Sequence, residues 1–379
     1  IDHSYRLVGN GLALTGGVTN ESPALQQLAL ALELNADQSF EQGAGGLSLG
    51  SVTDGPASHV LTAGGPAADG PISFDGHLTV HTLDIVAETY DLTLAGGARI
   101  ESDLTFENTG TVALGGNDAD LTETLGGLDS RSAASTSLAG TVRTDGEPID
   151  LGSVNLSDDA GLDSTGGGAS PGGAAVNLAG VAGNGRDLTI RSGSGGSITS
   201  AGTIVCSGLE VVSGQSLALT VPANDFYSLA TEINGADLSV RDVNDLEIAT
   251  VGGTAGISAP GGRITLRVGD ALTQEAGAPI TAAELLIRGR GPVVLAQTGN
   301  IVDVLAADLT GSEESFIYTN GGDLAVGTIG GTAGITTAGG SVELTIGADE
   351  GLLSVDEPIE TDPSDTAGAD ITLRSDKID

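Results

Sequence analysis

Apolar residues alternate with small or polar ones in short runs along this chain. In LALALEL, Leu28, Leu30, Leu32 and Leu34 are separated by Ala29, Ala31 and Glu33. That period of two predicts strand, against the helix that Ser22 and Pro23 could start. The alternation recurs at 47–52, 59–62, 78–86, 91–94, 100–106 and 111–114, and again beyond Asp187 in DLTIRS, SITSAG, LEVVSG, SLALTV and ADLSVRDV. Turn residues punctuate the runs, which suits many short strands joined by tight turns.

The pattern also repeats at long range. Residues 245–257 read DLEIATVGGTAGI and residues 323–335 read DLAVGTIGGTAGI, nine of thirteen positions identical at an offset of 78. Gly261, Gly262, Ile264, Leu266 and Val268 meet Gly339, Gly340, Val342, Leu344 and Ile346 at the same offset. In each copy the parity of the apolar positions changes once: Leu246 and Ile248 share a face that Val251 leaves, as Ile329 leaves that of Leu324 and Val326. A corner or bulge is expected there, with the Gly pairs supplying positive φ. Short strands, Gly corners and an internal repeat predict an all-β chain folded as a parallel β-helix, a β-solenoid whose coils bury their cores by stacking. With coils of about 20 to 26 residues the offset is three or four coils. The whole chain, 1–379, is then one elongated rod on the order of 80 Å long.

Composition sharpens this picture. The 61 Gly and an aromatic share of 2% fit thin coils of small residues. No Gly-X-Y period supports collagen. With 51 acidic and 13 basic residues the net charge is −38, and Lys377 is the single lysine. Nucleic acid and anionic membrane are therefore excluded as expected partners. No apolar run is long enough to cross a bilayer as a helix, so membrane insertion is not expected. Cys206, the single cysteine, lies between apolar residues and is expected to be buried and inert. The chain opens on Ile1 without a basic leader, which leaves two readings, a removed secretion signal or a piece of a longer polypeptide.

Two stretches, 115–131 and 160–175, break the strand pattern and are expected to be irregular insertions. The acidity has two readings, a highly soluble surface or carboxylate corners that hold Ca²⁺. Asn117, Asp118 and Asp120 are the candidate metal ligands and Ca²⁺ the candidate ion, as in a calcium-stabilised surface layer. His3, His59, His77 and His81 lack carboxylates at ligand spacing and are read as surface histidines. The densest basic group is Arg263, Arg267, Arg288 and Arg290, expected to face outward because Ile264, Leu266 and Val268 face in. At the 78-residue offset Arg263 becomes Ser341 and Arg267 becomes Thr345 while the inward positions stay apolar. That drift points away from an enzyme, and no catalytic residues are assigned. A polysaccharide-binding or polysaccharide-cleaving β-helix is the alternative.

Residues 217–346 carry a recurring order: an Asn before an apolar strand, LAA, an aromatic strand, a Leu-Val-Gly-containing strand and GG-x-x-GI, clearest over 293–346. This order resembles the repeats of filamentous-haemagglutinin-like exoproteins and autotransporter passengers of bacteria. The resemblance implies a right-handed parallel β-helix, export to the cell surface or medium, and an adhesive or scaffold role. The expected function is thus a secreted or cell-surface structural protein, as filament, matrix or adhesin stalk. The expected partners are further copies, a longer chain of the same type, or a surface or matrix polysaccharide.

Overall fold

The computed structural model describes residues 3–65, 70–347, 351–362 and 368–378. The described residues form short strands and one 3-10 turn at Gly166–Gly168. They make two compact units, residues 1–196 with 200–202, and residues 197–199 with 203–379. Each unit is a stack of coils paired in parallel, a β-solenoid.

In the first unit a coil has three sides. Leu92–Leu94, Ala98–Ile100 and Leu104–Thr105 make one coil, and they pair in parallel with Thr111–Leu114, Leu121–Thr124 and Leu128–Asp129 of the next. Because side chains alternate across a strand and the register is kept from coil to coil, like residues stack on like. One inward column runs Leu7, Leu28, Leu49, Phe74, Leu94, Leu114, Leu138, Leu156. The columns between Leu49 and Leu156 are at most 2% exposed. The alternating leucines of LALALEL divide into Gln26–Leu28 and Leu32–Leu34, two sides of one coil with a corner at 29–31. The stretch 115–131 is more regular than its composition suggests. Leu121–Thr124 and Leu128–Asp129 are coil sides, with Thr122 and Thr124 buried and Glu123 pointing out, so the irregular part is the 115–120 loop. At 160–175 the strand Ile149–Asp163 runs in from before, and the loop proper begins at Ser164.

The second unit keeps the same principle. Leu217, Leu238, Ile264, Leu285, Leu305, Val326 and Val355 form one inward column. Leu246, Leu272, Val293, Phe316, Val342 and Ile371 form another. Buried asparagines hold the corners. Asn224, Asn300 and Asn320 each accept, through Oδ1, the backbone N–H of the preceding coil: Ile204 at 2.9 Å, Ile280 at 2.8 Å and Val302 at 3.0 Å. Their amides donate back to carbonyls, Leu295 O and Thr319 O for Asn300. Gln274 completes the Asn300 set with Nε2 at 2.7 Å from Oδ1. An amide suits this position because it is donor and acceptor at once.

The two 78-residue copies depart from the expected corner. After Leu246–Ile248 the chain leaves the coil as an antiparallel hairpin, Thr250 opposite Ala255 and Val251 opposite Thr254. The second copy does the same, with Thr328 opposite Ala333 and Ile329 opposite Thr332. Gly252 and Gly253 have φ of 60° and 107°, and Gly330 and Gly331 57° and 83°. Positive φ at both central residues is what the favoured two-residue hairpin turns require. The parity break marks the step from solenoid to flap: Ile329 folds onto the outer face and packs on Leu286 and Ala306. The chain then re-enters through Gly256 and Gly334, where an added Cβ would lie 2.0 Å from Pro279 O and 1.9 Å from Pro358 O.

Nor is the offset a whole number of coils. Three coils carry Leu246 to Phe316, whereas Leu324 lies one strand further along, and its strand pairs onward with Leu352–Val355. The two flaps therefore spring from different sides. Their supports differ accordingly: Thr254 of the first donates to Glu210, and Thr332 of the second accepts from Arg288.

Asn300→Ala orphans the buried Ile280 N–H and two carbonyls, and is expected to destabilise by about 3 kcal/mol, read by chemical denaturation. Ile329→Asp is expected to release the second flap: amide exchange at Thr328, Ile329 and Thr332 rises to unprotected rates while Leu285 and Leu305 keep their protection.

Candidate functional site

The acidic residues come first, since carboxylates are the largest charged group of the chain. Many of the corner aspartates are bonded across coils. Asp91 Oδ1 accepts Thr111 N at 2.7 Å, Asp103 Oδ1 accepts Gly127 N at 2.9 Å, and Asp237 Oδ1 accepts Arg263 N at 2.9 Å. The aspartates that open the two repeat copies do likewise, Asp245 to Ala271 N at 2.9 Å and Asp323 to Leu352 N at 2.8 Å. In an Asp-Leu pair the leucine enters the core and the aspartate staples the following coil. Acidity is thus partly structural here, a role that neither solubility nor cation binding captures.

The candidate ligands at the 115–120 loop follow a related rule. Asp120 Oδ2 accepts Gly116 N at 2.8 Å, Asn117 N at 3.0 Å and Asn117 Nδ2 at 2.8 Å. Asn117 Oδ1 accepts Ala119 N at 3.0 Å, and Asp118 is exposed. The structure brings Asn117 and Asp120 together, with the Asp120 carboxylate used to close its own loop. Among the described residues there is no group of three or more His, Cys, Asp or Glu placed to share a metal ion. His59 and His81 occupy neighbouring coils: His59 Nδ1 is 2.5 Å from Asp54 Oδ1 and His81 Nδ1 is 3.1 Å from Glu101 Oε2. His77 Nδ1 lies 3.1 Å from Gly96 O. Asp54 is held below the usual carboxylate range: burial acts upward, but the His59 N–H and ring and the His81 N–H outweigh it. Cys206 is buried.

The basic residues assemble differently. Most arginines outside one region are paired, as in Arg99 with Glu123, Arg131 with Asp129, Arg143 with Asp163, Arg186 with Asp158 and Arg263 with Glu284. On the second unit, however, Arg241 is in register with Arg267, Arg267 with Arg288, and Arg288 with Asp308. Three arginines thus follow one another on successive coils, their backbones about 4.8 Å apart along the ladder. With Arg290 they line an open cleft of about 390 Å³, floored by Asp242, Val268 and Gly269 and edged by Asp308 and Thr310. Arg241, Arg267 and Arg290 are exposed and make no salt bridge with the described residues. The second flap fixes Arg288, whose Nη2 and Nε donate to Thr332 Oγ1 at 2.6 and 3.2 Å.

The grouping of Arg263, Arg267, Arg288 and Arg290 expected from sequence is therefore redrawn. Arg263 turns to Glu284, and Arg241 takes its place. Coil lengths here are unequal, so the spacing of 241, 267 and 288 gives no period from which the stack could be read. The alternation around ADLSVRDV does signal that Arg241 faces out; its neighbours needed the register.

Asp242 is the other residue that sequence left unmarked. It is 1% exposed, with Phe226 N and Asn244 N donating to its carboxylate at 2.9 Å each. Burial pushes its pKa up to about 6, aided by the negative charges of Asp225 and Asp245 and opposed by the two N–H donors.

Stacked parallel coils and repeated flaps define a β-solenoid repeat protein, and its second unit carries an outward ladder of three arginines. No protein-family model, curated protein or solved structure matches this chain.

The raised pKa fixes the sign of a pH effect. Folded Asp242 holds its proton more tightly than the unfolded chain does, so its contribution is most favourable below about pH 4 and declines as pH rises through about 6. The decline should be on the order of 2 kcal/mol between those limits. Asp242→Asn is expected to abolish it, leaving a variant that is weaker at acid pH, since its amide can accept only one of the two N–H bonds. Urea midpoints across that range, compared with wild type, check both points.

Proposed function

We propose that this chain is a secreted or cell-surface structural protein, a filament, matrix or adhesin-stalk element that acts by presenting a surface and not by turnover. The observation that carries the reading is the contrast between its two faces. The inward columns keep their apolar identity from coil to coil, as Ile264, Leu285 and Leu305 do, whereas outward positions beside them change, as from Arg263 to Glu284 to Val304 in register. A chain selected for stacking keeps its core and leaves its exterior free to diversify. The Asn corners, the LAA segments and the GG-x-x-GI flaps supply the features on which the likeness to filamentous-haemagglutinin-like exoproteins rests. A net charge of −38 suits a polymer that stays dispersed in an ionic exterior.

Antibody labelling of intact cells, with electron microscopy of the native material, tests this directly. Surface or extracellular label on fibres or rods is the expected outcome. Label confined to permeabilised cells would defeat the assignment, and release of fibres by a chelator would add a cation to the assembly.

A further inference from the structure

We propose that the arginine ladder Arg241–Arg267–Arg288, with Arg290 beside it, is a binding cleft for a carboxylated polysaccharide, a chain of uronic-acid sugars lying along the solenoid axis with one acidic sugar per coil. This adds a ligand class to the surface-protein reading and is measured separately from it.

The first ground is cost. Like charges directly opposite on neighbouring strands repel, and the structure offers Arg241 and Arg267 no internal anion in return, although the chain carries 51 acidic residues against 13 basic. A local rule broken without structural compensation is the mark of a functional site. The second ground is spacing. The coil rise of about 4.8 Å sets the backbones of successive arginines near the repeat of a single sugar ring, and a guanidinium fork can match one carboxylate with two parallel hydrogen bonds. The third ground is the company these arginines keep. Asp308 and Thr310 on the rim offer an acceptor and a hydroxyl. A bare polyanion such as polyphosphate would be repelled by Asp308, whereas a polyol that also bears carboxylates can donate its hydroxyls there. The described lining contains no aromatic ring, so a neutral sugar would find no stacking platform; charge must do the recognising.

The flap has a part in this. By accepting from Arg288, Thr332 holds that fork at the end of the ladder. Thr332 is thus a positioning residue, and the hairpin that sequence places among the Gly corners becomes one support of the site. The general field of the chain opposes any polyanion, but salt at about 0.15 M screens it beyond roughly 8 Å while contacts inside the cleft persist.

Calorimetric titration of the purified full chain with oligogalacturonates of defined length, without added divalent cations, tests the proposal. Wild type is expected to bind the trimer at least tenfold more tightly than the monomer, and the methyl-esterified trimer not at all. Arg241→Ala and Arg267→Ala should each weaken binding at least tenfold with unchanged circular dichroism, and Arg263→Ala, outside the cleft, should not. Thr332→Val should weaken it severalfold and Thr332→Ser restore it. Absence of binding, equal affinity for the methyl ester, or arginine variants that match wild type would overturn the proposal. Tighter binding of polyphosphate or sulfated dextran would overturn it too, by revealing a general anion patch. None of these results bears on where the chain resides, because localisation is read without a ligand.

Discussion

Everything in this structure depends on the parallel backbone ladder. A strand in a short coil has no partner within its own coil. Its N–H and C=O groups are satisfied by the coils on either side, and an unsatisfied buried backbone group costs about as much as a lost hydrogen bond. The ladder therefore fixes the register from coil to coil, and the register turns any inward position into a column. In the first unit this yields the apolar column from Leu28 to Leu156; in the second, that from Leu217 to Val355. The core is a by-product of pairing, which is why few aromatics are needed to fill it.

Corners are where this arrangement would fail, because the ladder stops there and backbone groups are left over. Two polar devices take up the remainder. Buried Asn224, Asn300 and Asn320 accept an N–H of the preceding coil and donate to carbonyls nearby, and exposed aspartates such as Asp91, Asp245 and Asp323 reach forward to the next coil's N–H. The acidity of the chain and the integrity of its stacking are in this sense linked. Each staple is small, on the order of 1 kcal/mol, yet it recurs along the chain as the ladder does.

The same register that stacks leucines inside stacks whatever lies outside. On most of the surface this places arginine near carboxylate, as with Arg263 beside Glu284. On one stretch it places arginine on arginine, and the flap adds a hydroxyl to Arg288, whose register neighbour on the following coil is Asp308. A solenoid thus builds a linear array of identical groups with no device beyond repetition. Such an array suits a linear repeating ligand better than a compact one. Asp242, buried beneath, makes the floor of that array sensitive to pH near 6.

Sequence by itself determined the class of fold. The period of two, the Gly pairs and the 78-residue repeat name strands, turns and stacking, and these are local properties that need no knowledge of neighbours. It also placed some strands, such as 91–94 and 111–114, within a residue, ran 47–52, 78–86 and 100–106 through corners that divide them, and marked at Val251 and Ile329 where the chain changes direction. Only tertiary structure decided what that change is. A corner and a hairpin share the same Gly-Gly signal, and the outcome turns on Ile329 finding Leu286 and Ala306 to cover. Unequal coil lengths likewise hid which residues meet. The 78-residue copies lie on different sides, Arg241 joins a ladder from which Arg263 is absent, and Asp120 bonds to the loop it belongs to. Facing direction is written in alternation along a strand, but adjacency between strands depends on the residues consumed at every intervening corner, and those are set by packing.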